Sequence, residues 1–422
     1  MRAAQRIGPR EDRGRLRAVF LAVVVASCRE PGVARRSEFR VLPNLGSRLL
    51  VLAPHPDDEV LGAGGVVEAV LRSGGDVAVV VATDGEAGSH KAVNGGRLAE
   101  QRRAETRHAL AQLGVASDAV TFLGYRDGTL ASAWSEGWTA AKREDGEASA
   151  SSVVADLRAA LRATAPTSIA LPMPMDGHPD HQALNRFTLL ALLGEHPKGR
   201  TAELLGYLIH GSRRWHTEPF GADTTEPAPE GCPRLLFPWA ELQLDRAAAL
   251  RKATLIAGYR TQVGHSQRLF RYAARDEQFA LGQVVRGPRP MSERHPGVHW
   301  TPGGIVIRVP RAACVIATAR DERLRLRFFR AGNIEERVVR VDGSHVDVRG
   351  GAPGHALGAA DDVAVTETAA SVRLVLSAAT FHDVSGVGLE VLPRERDAGS
   401  PAWLLFWSLV DAGRGAAEQH SS

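Results

Sequence analysis

The chain has 422 residues, 44% of them hydrophobic and 24% charged, which is enough to bury a full core in two or three domains without disulfide staples. Its net charge of +4 is confined to the start: Arg2, Arg6, Arg10, Arg13, Arg15 and Arg17 outweigh Glu11 and Asp12 within residues 1–27. The remaining body is neutral, so the overall basicity is no argument for a nucleic-acid partner, and none is expected.

The basic start leads into an apolar run, Ala18 to Ala26, and then Ser27-Cys28. This is the layout of a signal peptide, and the apolar run is short of the ~20 residues a membrane span needs. Val25-Ala26-Ser27-Cys28 is similar to the bacterial lipobox. The expectation is cleavage before Cys28, a lipid anchor on its sulfur, and export to the cell envelope, periplasmic or outer-membrane in a Gram-negative bacterium. Cys232 and Cys314 are free to pair in an oxidising compartment, but their separation and lack of pattern read as two buried free thiols.

After a polar linker at 28–44, apolar runs alternate with helical stretches. Strands are expected at 49–53, 77–82, 120–123, 168–171 and 204–209. Helices are expected at 61–72, 97–113, 153–163, 181–193 and 240–259, with a loop at 218–233. Such alternation implies βαβ units and a Rossmann-like, largely parallel sheet with helices on both faces, over residues 45–286. From 287 to 422 the pattern changes to short β runs at 303–310, 312–319, 324–330, 337–341, 363–366, 372–376, 387–391 and 403–407. These suggest an all-β, sandwich-like second domain.

Two dense clusters follow predicted strands in the first domain. Ala53-Pro54-His55-Pro56-Asp57-Asp58-Glu59 comes after the first strand, and Asp176-Gly177-His178-Pro179-Asp180-His181 after the fourth. Open α/β sheets place their sites beyond the carboxyl ends of strands. A catalytic zinc site takes three protein ligands and keeps a fourth position open, which His55, Asp58 and His181 can satisfy. Successive side chains diverge, so Asp57 is free to act as a general base beside the ion. His178, near a helix start, can donate to an oxyanion or protonate a leaving amine, and Asp180 can orient a histidine. The same two-histidine, one-carboxylate set also serves iron(II) oxygenases, which have no evident use for the spare Asp57. Gly62, Gly64 and Gly65 lack the third glycine of a dinucleotide fingerprint and read as close-packing positions instead.

These residues resemble the PIG-L/LmbE-like family of metal-dependent N-acetylglucosaminyl deacetylases. The run 54–59 matches its first motif and 178–181 its second. Thr83 to Gly88, Arg102-Arg103-Ala104-Glu105, Lys252 with Tyr259 to Gln262, and Glu277-Gln278-Phe279 resemble further parts of it. The resemblance implies zinc, with iron(II) as the alternative, on His55, Asp58 and His181, and Asp57 as the base. It further implies that His178 stabilises the oxyanion with support from Asp180. Glu59 is expected to brace the loop. Arg102 and Tyr259 are candidate substrate contacts, although an exposed helix charge is the commoner lot of such an arginine. The implied substrate is an N-acetylated amino sugar or glycoconjugate. Two alternatives stand beside it: an amide hydrolase on a non-sugar substrate, and a non-catalytic envelope-binding lipoprotein.

Overall fold

A computed structural model describes residues 39–42, 45–87, 95–135, 141–143, 146–195, 202–211, 221–229, 237–264 and 267–282, and the C-terminal strands given below. The leader, Cys28, Cys232, Cys314 and the strand expected at 312–319 lie outside the described residues.

The elements run in the following order: β1 (Arg40–Val41), β2 (Arg48–Ala53), α1 (Asp58–Arg72), β3 (Asp76–Thr83), α2 (Gly95–Leu113), β4 (Val120–Tyr125), α3 (Thr129–Ser135), β5 (Ala141–Arg143), β6 (Gly146–Ala148) and α4 (Ala150–Thr164). They continue with β7 (Ser168–Pro172), α5 (Pro179–Glu195), β8 (Glu203–Tyr207), β9 (Trp239–Gln243), α6 (Arg246–Ala257) and β10 (Asp276–Gly282). All ten strands form one sheet, ordered β1-β9-β10-β8-β7-β2-β3-β4-β5-β6. The central five, β8-β7-β2-β3-β4, are parallel, with Leu49 opposite both Val77 and Ser168. β10 joins antiparallel to β8 and β9, and β5 and β6 add a short antiparallel edge.

The period of two along β2 divides the core. Leu50 and Leu52 face one layer, shared with Leu130 of α3, Leu157 of α4 and Phe187 of α5. Leu49 and Val51 face the other, shared with Val66 of α1, Leu110 of α2 and Ile256 of α6. Helices therefore cover both faces, and the buried strands carry apolar residues on both sides. The strand order reverses at β2, whose neighbours are β3 on one side and β7 on the other. The two histidine-bearing loops leave β2 and β7, which are adjacent, at the switch point where such sheets open a crevice.

The two helices that follow the histidine loops start earlier than their apolar pattern indicates. α1 begins at Asp58, with the acidic Asp58 and Glu59 in its first turn, where the helix dipole favours negative charge. α5 begins at Pro179, which needs no amide donor at that position. The helix expected at 240–259 is corrected to a strand and a shorter helix. Trp239–Gln243 pairs with Asp276–Ala280, and the Asp245 carboxylate accepts the Ala248 amide at 2.7 Å to cap α6.

Glycines 62 and 65 allow close packing of α1. A Cβ on Gly62 would lie 2.5 Å from the Tyr207 ring, and one on Gly65 would lie 2.8 Å from Leu244. Glu277 reaches into the opening and accepts the Gly65 and Val66 amides at 2.6 and 2.9 Å. Lys252 completes the arrangement, bonding Glu277 at 2.5 Å and the Leu61 carbonyl at 2.9 Å.

Beyond residue 296 the described strands are β11 (Gly297–Thr301), β12 (Gly304–Pro310), β13 (Glu322–Arg330), β14 (Asn333–Asp342), β15 (His345–Arg349), β16 (Val363–Glu367), β17 (Ser371–Ser377), β18 (Gly386–Leu392) and β19 (Trp403–Leu409). They form two antiparallel sheets, β11-β12-β17-β16 and β15-β14-β13-β18-β19. β11 and β15 were not expected from the sequence, because neither has a sustained apolar run. Among the described residues no helix is long and apolar enough to cross a membrane.

Candidate metal centre

Pro54 fixes the first loop, its carbonyl accepting both the amide and the hydroxyl of Thr83 at 2.8 Å. The chain then turns sharply through Asp57, whose φ of 117° is a strained value for a residue with a side chain. Glu59 holds that turn. One of its oxygens accepts the Asp57 amide at 3.0 Å, and the other accepts the Tyr259 hydroxyl at 2.5 Å. From the other side Arg102 donates to the carbonyls of Pro56 at 2.6 Å and Gly85 at 2.7 Å, and lies 3.5 Å from Asp57 Oδ2.

Arg102 and Tyr259 are thus part of the wall that shapes the loop, only 4% and 1% exposed. The exposed helix charge expected for Arg102 is corrected, since its guanidinium is spent on carbonyls that need donors. Arg103, its neighbour, pairs with the Asp84 carboxylate.

The second loop is organised by Asp176. Its Oδ1 accepts the His178 amide at 2.9 Å, and its Oδ2 accepts the Ile209 and His210 amides at 2.8 and 3.0 Å. Oδ2 is also 3.3 Å from His181 Nδ1. Asp180, fully buried, binds a third loop through the Gly128 and Ala131 amides at 2.6 and 3.0 Å. Its own amide donates to His178 Nδ1 at 3.2 Å, so a neutral His178 carries its proton on Nε2.

The loops bring the two motifs together. His55 Nδ1 and His181 Nε2 lie 3.2 and 3.1 Å from the same oxygen, Asp58 Oδ2. Each ring turns its other nitrogen to a carboxylate, His55 Nε2 to Asp127 at 3.2 Å and His181 Nδ1 to Asp176. Asp180 lies further from His55 Nε2, at 3.7 Å. This is the pattern of metal-binding histidines, one nitrogen for the ion and the other facing a carboxylate. The donor set fits a divalent cation on a second ground. His181 is fully buried, yet neither ring nitrogen has a well-formed hydrogen bond.

Burial would raise the Asp58 carboxyl, but His181 and His55 hold it well below the usual range. Burial would lower His181, but Asp176 and Asp58 raise it to about 9. Asp57 behaves oppositely to its neighbour. Burial raises it to about 8 against the pull of Arg102, so the two adjacent carboxyls are pushed far apart. His178 is lowered by burial and by the neighbouring His55 and His181.

Sequence reasoning gave no role to Asp127, Asp176 or His210. Asp127 and His210 stand alone on loops after β4 and β8. Their signal is a polar residue just past the carboxyl end of a strand.

Residues 50–192 match the family described as PIG-L: GlcNAc-PI de-N-acetylase. A 1D-myo-inositol 2-acetamido-2-deoxy-alpha-D-glucopyranoside deacetylase of Mycobacterium sp. (strain KMS) is 34% identical over 188 residues, covering 41% of this chain and 57% of that protein. A diacetylchitobiose deacetylase of Thermococcus kodakarensis is 29% identical over 139 residues, covering 32% of this chain and 45% of the relative. The chain thus spans about half the length of these relatives. Among solved structures, an N,N'-diacetylchitobiose deacetylase from Pyrococcus horikoshii superposes with a TM-score of 0.40 at 19% identity, covering 65% of this chain and 94% of that one.

Proposed function

We propose, from the premise that residues 50–192 form a PIG-L family domain, that this chain is a metal-dependent hydrolase. It removes the N-acetyl group from an N-acetylated amino sugar or an N-acetylglucosamine-containing glycoconjugate. The observation that carries the reading is the convergence of His55 and His181 on Asp58 Oδ2, with Asp57 beside them and turned toward Arg102.

His55, Asp58 and His181 would hold zinc, with iron(II) as the alternative. The bound cation supplies Lewis acidity toward the amide carbonyl and the attacking water. Asp57 takes a proton from that water as its oxygen adds to the carbonyl carbon. His178 donates its Nε2 proton as a hydrogen bond to the developing oxyanion, and Asp180 keeps that tautomer through His178 Nδ1. The proton on Asp57 then passes to the departing nitrogen as the C–N bond breaks, leaving acetate and a free amine. A purely binding protein has no use for a strained, buried carboxylate at Asp57, which favours catalysis over the lipoprotein-binding alternative. The names of the relatives, all deacetylases of acetamido sugars, support the sugar class over a non-sugar amide.

The test is amine release from a panel of N-acetylated sugars and non-sugar acetamides, by the zinc-loaded and chelator-stripped protein. Turnover of an acetylated sugar that is lost on stripping and restored by zinc is expected. Turnover of non-sugar amides alone would overturn the substrate class, and full turnover after stripping would overturn the metal requirement.

The remaining proposals concern the ends of the chain. Residues 1–27 direct export, Cys28 carries a lipid anchor, and residues 287–422 form a separate β domain packed on the catalytic one. A Cys28→Ser protein should leave the membrane fraction, and continued membrane partition would contradict the anchor.

A further inference from the structure

His210 stands at the end of the segment that follows β8, outside both histidine motifs. Its ring centroid lies 4.8 Å from that of His181 and 5.2 Å from that of His178. Ligand atoms of Asp58, His181 and His210 all lie within 4.8 Å of one another. Donors about 2.0–2.1 Å from a tetrahedral ion sit about 3.3 Å apart, so a modest ring rotation brings a His210 nitrogen into the same shell.

The backbone that carries His210 is anchored to the metal loop. Its amide binds Asp176 Oδ2 at 3.0 Å, and its carbonyl accepts the Gly177 amide at 2.7 Å. A Cβ on Gly177 would lie 2.6 Å from that carbonyl, so the close approach depends on glycine. Tyr272 donates to the Ile209 carbonyl at 2.5 Å. Asp176 therefore serves His181 and His210 together, standing 3.3 Å from the ring of one and accepting the amide of the other. The His210 side chain is exposed, unlike the buried His55, Asp58 and His181, and can rotate without opening the core.

Taking the metal reading of this site as its basis, we propose that His210 is a fourth protein ligand for the divalent cation that His55, Asp58 and His181 hold. A neutral imidazole is a ligand for both zinc and iron(II). The three buried donors define the ion's place, and His210 tightens its grip. Because a catalytic site needs one open position, His210 competes there with an oxygen ligand, and its exposed ring lets it yield.

The experiment uses the full chain stripped of metal and titrated with Co²⁺, which reports its ligands by visible absorption. Affinity is read by competition with a chelating dye. The wild type should bind one equivalent. His210→Ala should raise the dissociation constant at least tenfold and alter the absorption, with the melting temperature of the metal-free protein unchanged. His210→Cys should recover tight binding and add a sulfur-to-cobalt charge-transfer band, which a merely structural role would not produce. Wild-type affinity and absorption in His210→Ala would overturn the proposal. So would a second bound equivalent that His210→Ala alone removes, which would mark a separate site. Absence of Co²⁺ binding in the wild type would instead overturn the metal reading itself, and this inference with it.

Discussion

Lys252→Met isolates the ion pair built into the flank of α1. Lys252 and Glu277 are each 2% exposed, and Lys252 Nζ is the one cation bonded to the Glu277 carboxylate among the described residues. Removing it leaves a buried carboxylate with only the Gly65 and Val66 amides for support. Loss of one partner of a buried pair costs about 3–5 kcal/mol, whereas replacing both with neutral groups of similar volume is often close to neutral. Lys252→Met and Glu277→Gln should each lose about that much, and the double variant should lose much less than the sum. Urea unfolding of the full chain, followed by tryptophan fluorescence, measures all three. A single variant that loses under about 1 kcal/mol, or a double variant that loses the full sum, would show that the two side chains are not a coupled buried pair.

Other expectations follow from single contacts. Gly62→Ala drives a methyl to 2.5 Å from the buried Tyr207 ring and should cost about 1–3 kcal/mol in the same assay. Tyr259→Phe deprives Glu59 of its hydroxyl donor, and turnover should fall while metal content stays at the wild-type level. Equal turnover in that variant would mean that Glu59 holds the Asp57 turn unaided. Asp176→Asn weakens the carboxylate behind His181, and zinc affinity should drop about 10–100-fold by dye competition. An unchanged affinity would remove Asp176 from the metal centre.

The sequence carries the parallel core plainly, because buried strands such as β2 and β3 are continuous apolar runs bounded by glycine and charge. It carries the centre of the site for a related reason. His55, Asp57, Asp58, His178, Asp180 and His181 occupy two short runs, each just past a strand. What it does not carry depends on partners distant in the chain. Trp239–Gln243 looks helical until β10, more than thirty residues later, supplies its hydrogen bonds. Arg102 looks like a surface charge until the Pro56 and Gly85 carbonyls fold over it. Lys252 and Glu277 read as motif residues of unassigned purpose and Tyr259 as a candidate substrate contact, and only packing shows that they brace α1 and its first turn. Asp127 and His210 each sit alone in a loop, where one polar residue resembles any other.

In the proposed reaction Asp57, beside the metal ligands but not one of them, takes the proton from the attacking water. The most direct measurement is amine release by Asp57→Asn from an acetylated sugar that the wild type cleaves, with bound zinc determined on the same sample. General-base catalysis contributes about 10²–10⁴-fold, so the variant should retain its zinc and lose that much turnover. Zinc retained with turnover within tenfold of wild type would show that another group takes the proton.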